Sequence, residues 1–188
     1  MIRRNAVAWV ILALLITACT NHRIEFEQLP SGAAVPQWGG GSKTPSDPWV
    51  ITAQYASEGV TAFSSNGQDG VFVINEPMTD TPSNVVCPIG VAFGPSDYTG
   101  PTTITLGQST DDIWVSLPSG YNAIVVTAYG SNGNVLISES SSGPNSTANS
   151  PGRRVHVEAD NITSVSIDSA TPGGRYCFDT FTWQELWY

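Results

Sequence analysis

Short runs in which apolar and polar residues alternate, each closed by turn residues, succeed one another along most of the chain. A period of two sends successive side chains to opposite faces of a strand. The runs at 23–27, 71–74, 85–93, 102–106, 113–117, 123–129, 135–138, 154–158, 162–167 and 176–183 read this way. Between them stand Asn66-Gly67, Pro118-Ser119-Gly120, Ser131-Asn132-Gly133 and Pro172-Gly173-Gly174, which supply the positive φ of tight turns. Only 50–57, ahead of Gly59, reads as a helical turn. About ten strands with no long helical period predict an all-β fold, an antiparallel β-sandwich.

Two stretches break the pattern. Residues 28–48 contain Gly39-Gly40-Gly41-Ser42 and several Pro, and 138–152 are dominated by Ser, Asn, Gly and Pro; both read as loops. In the last run, Tyr176 and Phe178 have one parity while Phe181 and Trp183 have the other. One extra residue near Asp179-Thr180, a β-bulge, would return all four to the core. The alternative is a strand apolar on both faces beneath a covering loop.

Composition narrows the class. The 188 residues include 18 Gly and 13 Pro, too many for a helical bundle, and 40% are hydrophobic, enough to build a core. Sixteen acidic residues against seven basic give a net charge of −9, which repels a phosphate backbone and argues against nucleic acid as a partner.

The N-terminus carries an address. Arg3 and Arg4 precede a short apolar run that ends at Ala18-Cys19, the layout of a secretory signal peptide. The run falls short of the ~20 apolar residues a spanning helix needs. Ile16-Thr17-Ala18-Cys19 resembles the lipobox of bacterial lipoproteins. That resemblance implies a signal peptide over 1–18, a lipidated Cys19 joined through a tether over 19–23, a folded domain over 24–188, and a membrane partner. Thr20 in place of Asp points to the outer membrane if the host is Gram-negative. Two Cys follow Cys19. In an exported chain the pair Cys87 and Cys177 predicts a disulfide, the alternative being two buried thiols.

Three segments together resemble one recurring domain of secreted bacterial proteins. Ile24-Glu25-Phe26-Glu27-Gln28-Leu29-Pro30 leads to Gln54-Tyr55-Ala56-Ser57-Glu58-Gly59-Val60; Val125-Val126-Thr127-Ala128-Tyr129-Gly130 stands in the middle; Asn161-Ile162-Thr163-Ser164-Val165-Ser166-Ile167 precedes Tyr176-Cys177-Phe178-Asp179-Thr180-Phe181-Thr182-Trp183. Their order resembles jelly-roll domains of the galactose-binding or carbohydrate-binding-module type, in which the first and last strands pair. The resemblance implies a structural Ca²⁺ held by carboxylates of the first strand and an Asp of the last. Glu25 and Glu27, two apart, and Asp179 are the residues in those places. The alternative is three solvated acids on an edge strand.

Aromatic platforms for sugar rings are the other candidate chemistry. Trp38 and Trp49 lie in the first loop, and Tyr98 lies between Pro95 and Pro101. Trp114 alternates with Ile113 and Val115 and so shares a face with Asp112 and Ser116. Trp187 and Tyr188 read as cover for a sheet edge. Catalysis has little to stand on: His156 points outward beside Arg154 and Glu158, His22 lies in the tether, and no nucleophile elbow or phosphate-binding loop occurs. Asp111-Asp112 are adjacent, and adjacent strand residues face opposite ways. The expectation is a lipid-anchored carbohydrate-binding module. An envelope lipoprotein that holds a protein partner is the alternative, and a glycoside hydrolase with two facing acids is a third reading.

Overall fold

The computed structural model of the chain describes residues 19–39, 47–75, 84–89, 99–118, 121–141 and 153–186. They contain β1 (Cys19–Ile24), β2 (Val50–Ile51), β3 (Val60–Ser65), β4 (Gln68–Asp69), β5 (Val71–Asn75), β6 (Asn84–Pro88), β7 (Thr102–Leu117), β8 (Ile124–Tyr129), β9 (Val135–Ser140), β10 (Arg153–Ser169) and β11 (Thr180–Leu186). Of residues 50–57, expected as a helical turn, Val50–Ile51 form a strand and only the end is helical, a short 3₁₀ turn, Ala56–Glu58, stopped by Gly59 at φ 102°.

All strand pairings are antiparallel. The larger sheet runs β1-β11-β7-β10-β8-β9 with β3 and β4 attached beside β7, and the smaller runs β2-β5-β6. Ile24, Phe63, Ile104, Val115, Val165 and Trp183 of the large sheet share one core with Val71, Val73 and Val86 of the small one. The fold is the expected all-β jelly-roll sandwich.

Two expected strand pairs are single long strands. Runs 102–106 and 113–117 join in β7, and 154–158 and 162–167 join in β10. The β7–β10 register shifts on either side of Ile162, and Asn161 takes φ 62°. Bulges let one bent strand serve two sets of neighbours. The first part of β7 pairs with β3 and its last part with β11.

The first strand lies upstream of its expected place. Residues 19–23, expected as a tether, pair with β11 from Cys19↔Leu186 to Arg23↔Thr182, so they form the sheet edge. The strand ends at Ile24 because Phe26 adopts φ 59°, which turns the chain out of the ladder. That turn drops the Phe26 ring among Tyr55, Phe63 and Phe178, with centroids 5.6 to 6.0 Å away.

Tyr176, Phe178, Phe181 and Trp183 are all buried. Their change of parity marks a change of sheet rather than an extra residue inside one strand. Phe178 exchanges two backbone hydrogen bonds with Val86 at the edge of the small sheet (2.7 and 2.9 Å). One residue later, the Asp179 N–H donates to the Ser116 carbonyl of the large sheet (3.0 Å). Beside the Val86–Phe178 pair, Cys87 and Cys177 face each other in the position without ladder hydrogen bonds, where Cα atoms come closest. They are 4.4 Å apart at Cα and joined by the expected disulfide. The bond lies on the outer face of the small sheet with Val50, Phe72, Ile74 and Val85, covered by Trp38, Trp49 and Tyr121.

Candidate binding site

Strand register builds the site. Along β7 the alternation buries Ile113, Val115 and Leu117 and leaves Asp112, Trp114 and Ser116 on the outer face. The pairings then align Arg23, Thr182, Trp114 and His156 in one row across β1, β11, β7 and β10. Two residues away along the strands, Asn21, Gln184, Asp112 and Glu158 form a parallel row on one side. Thr180, Ser116 and Arg154 form another row on the opposite side.

Trp114 is 36% exposed; among the described residues Val135 on β9 is the other large hydrophobic side chain with comparable exposure. The indole stacks on the His156 imidazole with centroids 3.8 Å apart and planes 5° apart. Rings that stack between neighbouring strands must both stand up from the sheet, so one indole face is covered by His156 and the other is open. The imidazole is held in turn by Asp112, whose Oδ1 lies 2.5 Å from Nε2. On the open side of Trp114 is a hollow of about 370 Å³, walled by Arg23, Asn21, Asp112, Arg154 and Gln184 and floored by Ser116, Thr180, Thr182 and the edge of Trp183.

The charges around this hollow are unevenly matched. Arg23 pairs with Glu25 at 2.6 Å, both about half exposed, a contact that solvent screens heavily. Arg154 is exposed and makes no ion pair among the described residues. Asp179 lies behind the floor, 7% exposed. Burial pushes its carboxyl above the usual range, while a hydrogen bond with the Thr180 side chain and the charges of Arg154 and Arg23 pull the other way.

The calcium ligand set does not assemble. β1 ends at Ile24, so Glu25 and Glu27 do not share a strand face. Glu25 holds Arg23, and Glu27 accepts the Asn84 N–H at 2.9 Å. The charged groups acting on Asp179 are the two arginines, not these acids. Among the described residues no three His, Cys, Asp or Glu side chains are placed to hold a metal. The donors do not fit the ion that the resemblance implied.

Other sequence candidates lie apart from Trp114. Trp38 packs edge-on against Phe72 at 5.6 Å, and with Trp49 it covers the small sheet. His22 stacks on Trp183 at 5.0 Å. Tyr98, Trp187 and Tyr188 lie outside the described residues. Asp111 accepts the Asn161 N–H at 2.8 Å and borders a second hollow, beyond His156, with Glu139, Glu158 and Asp160. Sequence reading passed over Arg23, Arg154, Thr180 and Thr182 as members of a site. Alternation did show Arg154 facing outward, but only the pairing register brings it to Trp114.

No protein-family model and no curated protein matches the chain. Similar solved structures include the K2 cleaved adhesin domain of Lys-gingipain, at 11% identity over 76% of this chain and 98% of that one, TM-score 0.43. Another is a family 29 carbohydrate binding module from Piromyces equi, at 10% identity over 89% of this chain and 91% of that one, TM-score 0.43. Likeness at this level leaves the ligand to be argued from the residues themselves.

Proposed function

We propose that this chain is a lipid-anchored, extracytoplasmic module that binds carbohydrate on the outer face of its large sheet. The observation that carries the reading is the exposed Trp114 indole, braced on one side by His156 and open on the other to a hollow lined with hydroxyl, amide and guanidinium groups. A pyranose offers an apolar face of C–H groups ringed by hydroxyls, and an upright indole with polar neighbours complements both.

Among the described residues the exposed large apolar side chains are Trp114 and Val135, which lie on different strands and form no broad patch. A protein partner would call for such a patch, so the sugar reading is preferred to an envelope-assembly role. Anchoring rests on the Ile16-Thr17-Ala18-Cys19 sequence. Because β1 starts at Cys19, acyl chains on that residue would hang from the edge strand without a spacer. Thr20 after the Cys points to the outer membrane in a Gram-negative host.

A glycan array probed with the wild-type chain and with Trp114→Ala tests the binding half. Specific binding that vanishes in the variant supports the module, and binding that survives places the ligand elsewhere. Labelled palmitate tests the anchoring half: Cys19→Ser should abolish incorporation and release the protein from membranes. Incorporation that persists in the variant overturns it.

A further inference from the structure

The hollow beside Trp114 has a charge character that a site for neutral sugar does not need. Five cationic residues follow residue 18 in this acidic chain: Arg23, Lys43, Arg153, Arg154 and Arg175. Two of the five, Arg23 and Arg154, wall this one hollow. They reach it from different strands at its opposite sides, Arg23 two strands from Trp114 and Arg154 one strand over and one row along. At about 4.8 Å per strand, Arg23 and the indole bracket a gap of about 10 Å, room for a sugar ring standing on edge against Trp114.

The two guanidinium groups are not equivalent. Arg23 is already engaged by Glu25 at 2.6 Å. Arg154 has no carboxylate against it among the described residues; the acid it acts on, Asp179, is buried behind the floor and makes no ion pair with it. Asp112 is the one acid among the residues that line the hollow, and its Oδ1 is engaged by His156. Arg154 is therefore an open planar fork of donors at the rim, next to the hydroxyls of Ser116 and Thr180. A guanidinium fork matches a carboxylate through two parallel hydrogen bonds.

Resting on the carbohydrate reading above, we infer that the preferred ligand is an acidic sugar, whose ring stacks on the open face of Trp114 and whose carboxylate is received by Arg154. The acidic body sharpens this selection. Its net charge of −9 repels polyanions over most of the surface, so an acidic glycan is held only where Trp114 and Arg154 act together.

The test uses three oligosaccharides of one linkage: a uronic acid form, its methyl ester and the neutral counterpart, titrated by calorimetry into the full chain. The acid should bind at least about tenfold more tightly than the ester, the scale of a charge-assisted hydrogen bond. That preference should shrink as salt is raised, disappear in Arg154→Gln, be partly kept in Arg154→Lys, and persist in Arg175→Gln. Thermal melts of each variant confirm folding. Equal affinity for acid and ester overturns the inference while leaving the carbohydrate reading intact. No binding of these or of any arrayed glycan overturns both. A preference that survives Arg154→Gln overturns the assignment of Arg154.

Discussion

The Trp114 indole and the His156 imidazole lie face to face, 3.8 Å between centroids and 5° between planes, on directly paired positions of β7 and β10. The contact explains how a large apolar ring can remain 36% exposed on an otherwise polar face without collapsing onto it. His156 supports one face, Asp112 fixes His156, and the other face stays available. A rigid aromatic wall loses little conformational freedom on binding, so more of the contact energy appears as affinity.

Trp114→Ala removes the wall and little else. The side chain faces outward, so stability should change by less than about 1 kcal/mol, while sugar affinity should fall by tenfold or more. A melt paired with a binding isotherm separates the two effects. A large loss of stability would mean that the indole serves packing.

His156→Ala tests the brace without touching the hollow, which His156 does not line. Sugar affinity should drop severalfold because the indole is freed to tilt. Asp112 does line the hollow, so Asp112→Asn is read with a neutral sugar, whose binding it should weaken less, since an amide can still accept from Nε2–H. Unchanged affinity in both variants would show that the stack is incidental to recognition.

Asp179 carries a pH dependence of definite sign. Burial holds its carboxyl above its ordinary value of 3.8, so the folded state binds that proton more tightly than the unfolded chain. Its contribution to stability is fully present below that ordinary value and is lost as pH rises through the folded one. In urea denaturation from about pH 4 to pH 7, Asp179→Asn should gain on the wild type as pH rises, then level off. A difference that does not vary with pH would contradict the burial argument.

The end of the chain is pinned twice. Reducing the Cys87–Cys177 bond, which closes a loop across a sequence separation of 90, should cost about 4 kcal/mol of stability. Close by, the buried Tyr176 hydroxyl donates to the Ile167 carbonyl at 2.6 Å and lies 2.9 Å from Thr102 Oγ1 and the Gly100 carbonyl. Tyr176→Phe strips these partners and should cost about 1 to 3 kcal/mol. Denaturation midpoints of the reduced protein and of the variant check both values. Losses under 0.5 kcal/mol would show that neither contact holds the last segment in place.

Much of this was legible in the residues, for particular reasons. Alternation around Trp114 identified its face because β7 is regular from Asp112 onward. The Cys pair was legible because an exported chain with two remaining Cys has one simple pairing. The first strand was misplaced because Glu25-Phe26-Glu27 alternates as a strand would, and nothing local reveals that Phe26 takes φ 59°. That placement is why Glu25 and Glu27 read as first-strand carboxylates for the calcium that the resemblance implied. Trp38 and Trp49 looked like free aromatics because the second cluster they cover is completed by Phe72 and Cys177, distant in sequence. The row from Arg23 to His156 depends on four strands and three registers, information that one strand's pattern does not contain.

The most direct test of the account follows the indole N–H resonances by NMR as the chain is titrated with the oligosaccharide it binds most tightly. Trp114, assigned through Trp114→Phe, should shift along a saturable curve that reproduces the calorimetric affinity, while Trp38 and Trp49, on the small sheet, stay where they are. Shifts at Trp38 or Trp49 with Trp114 unmoved would contradict it and put the ligand on the small sheet.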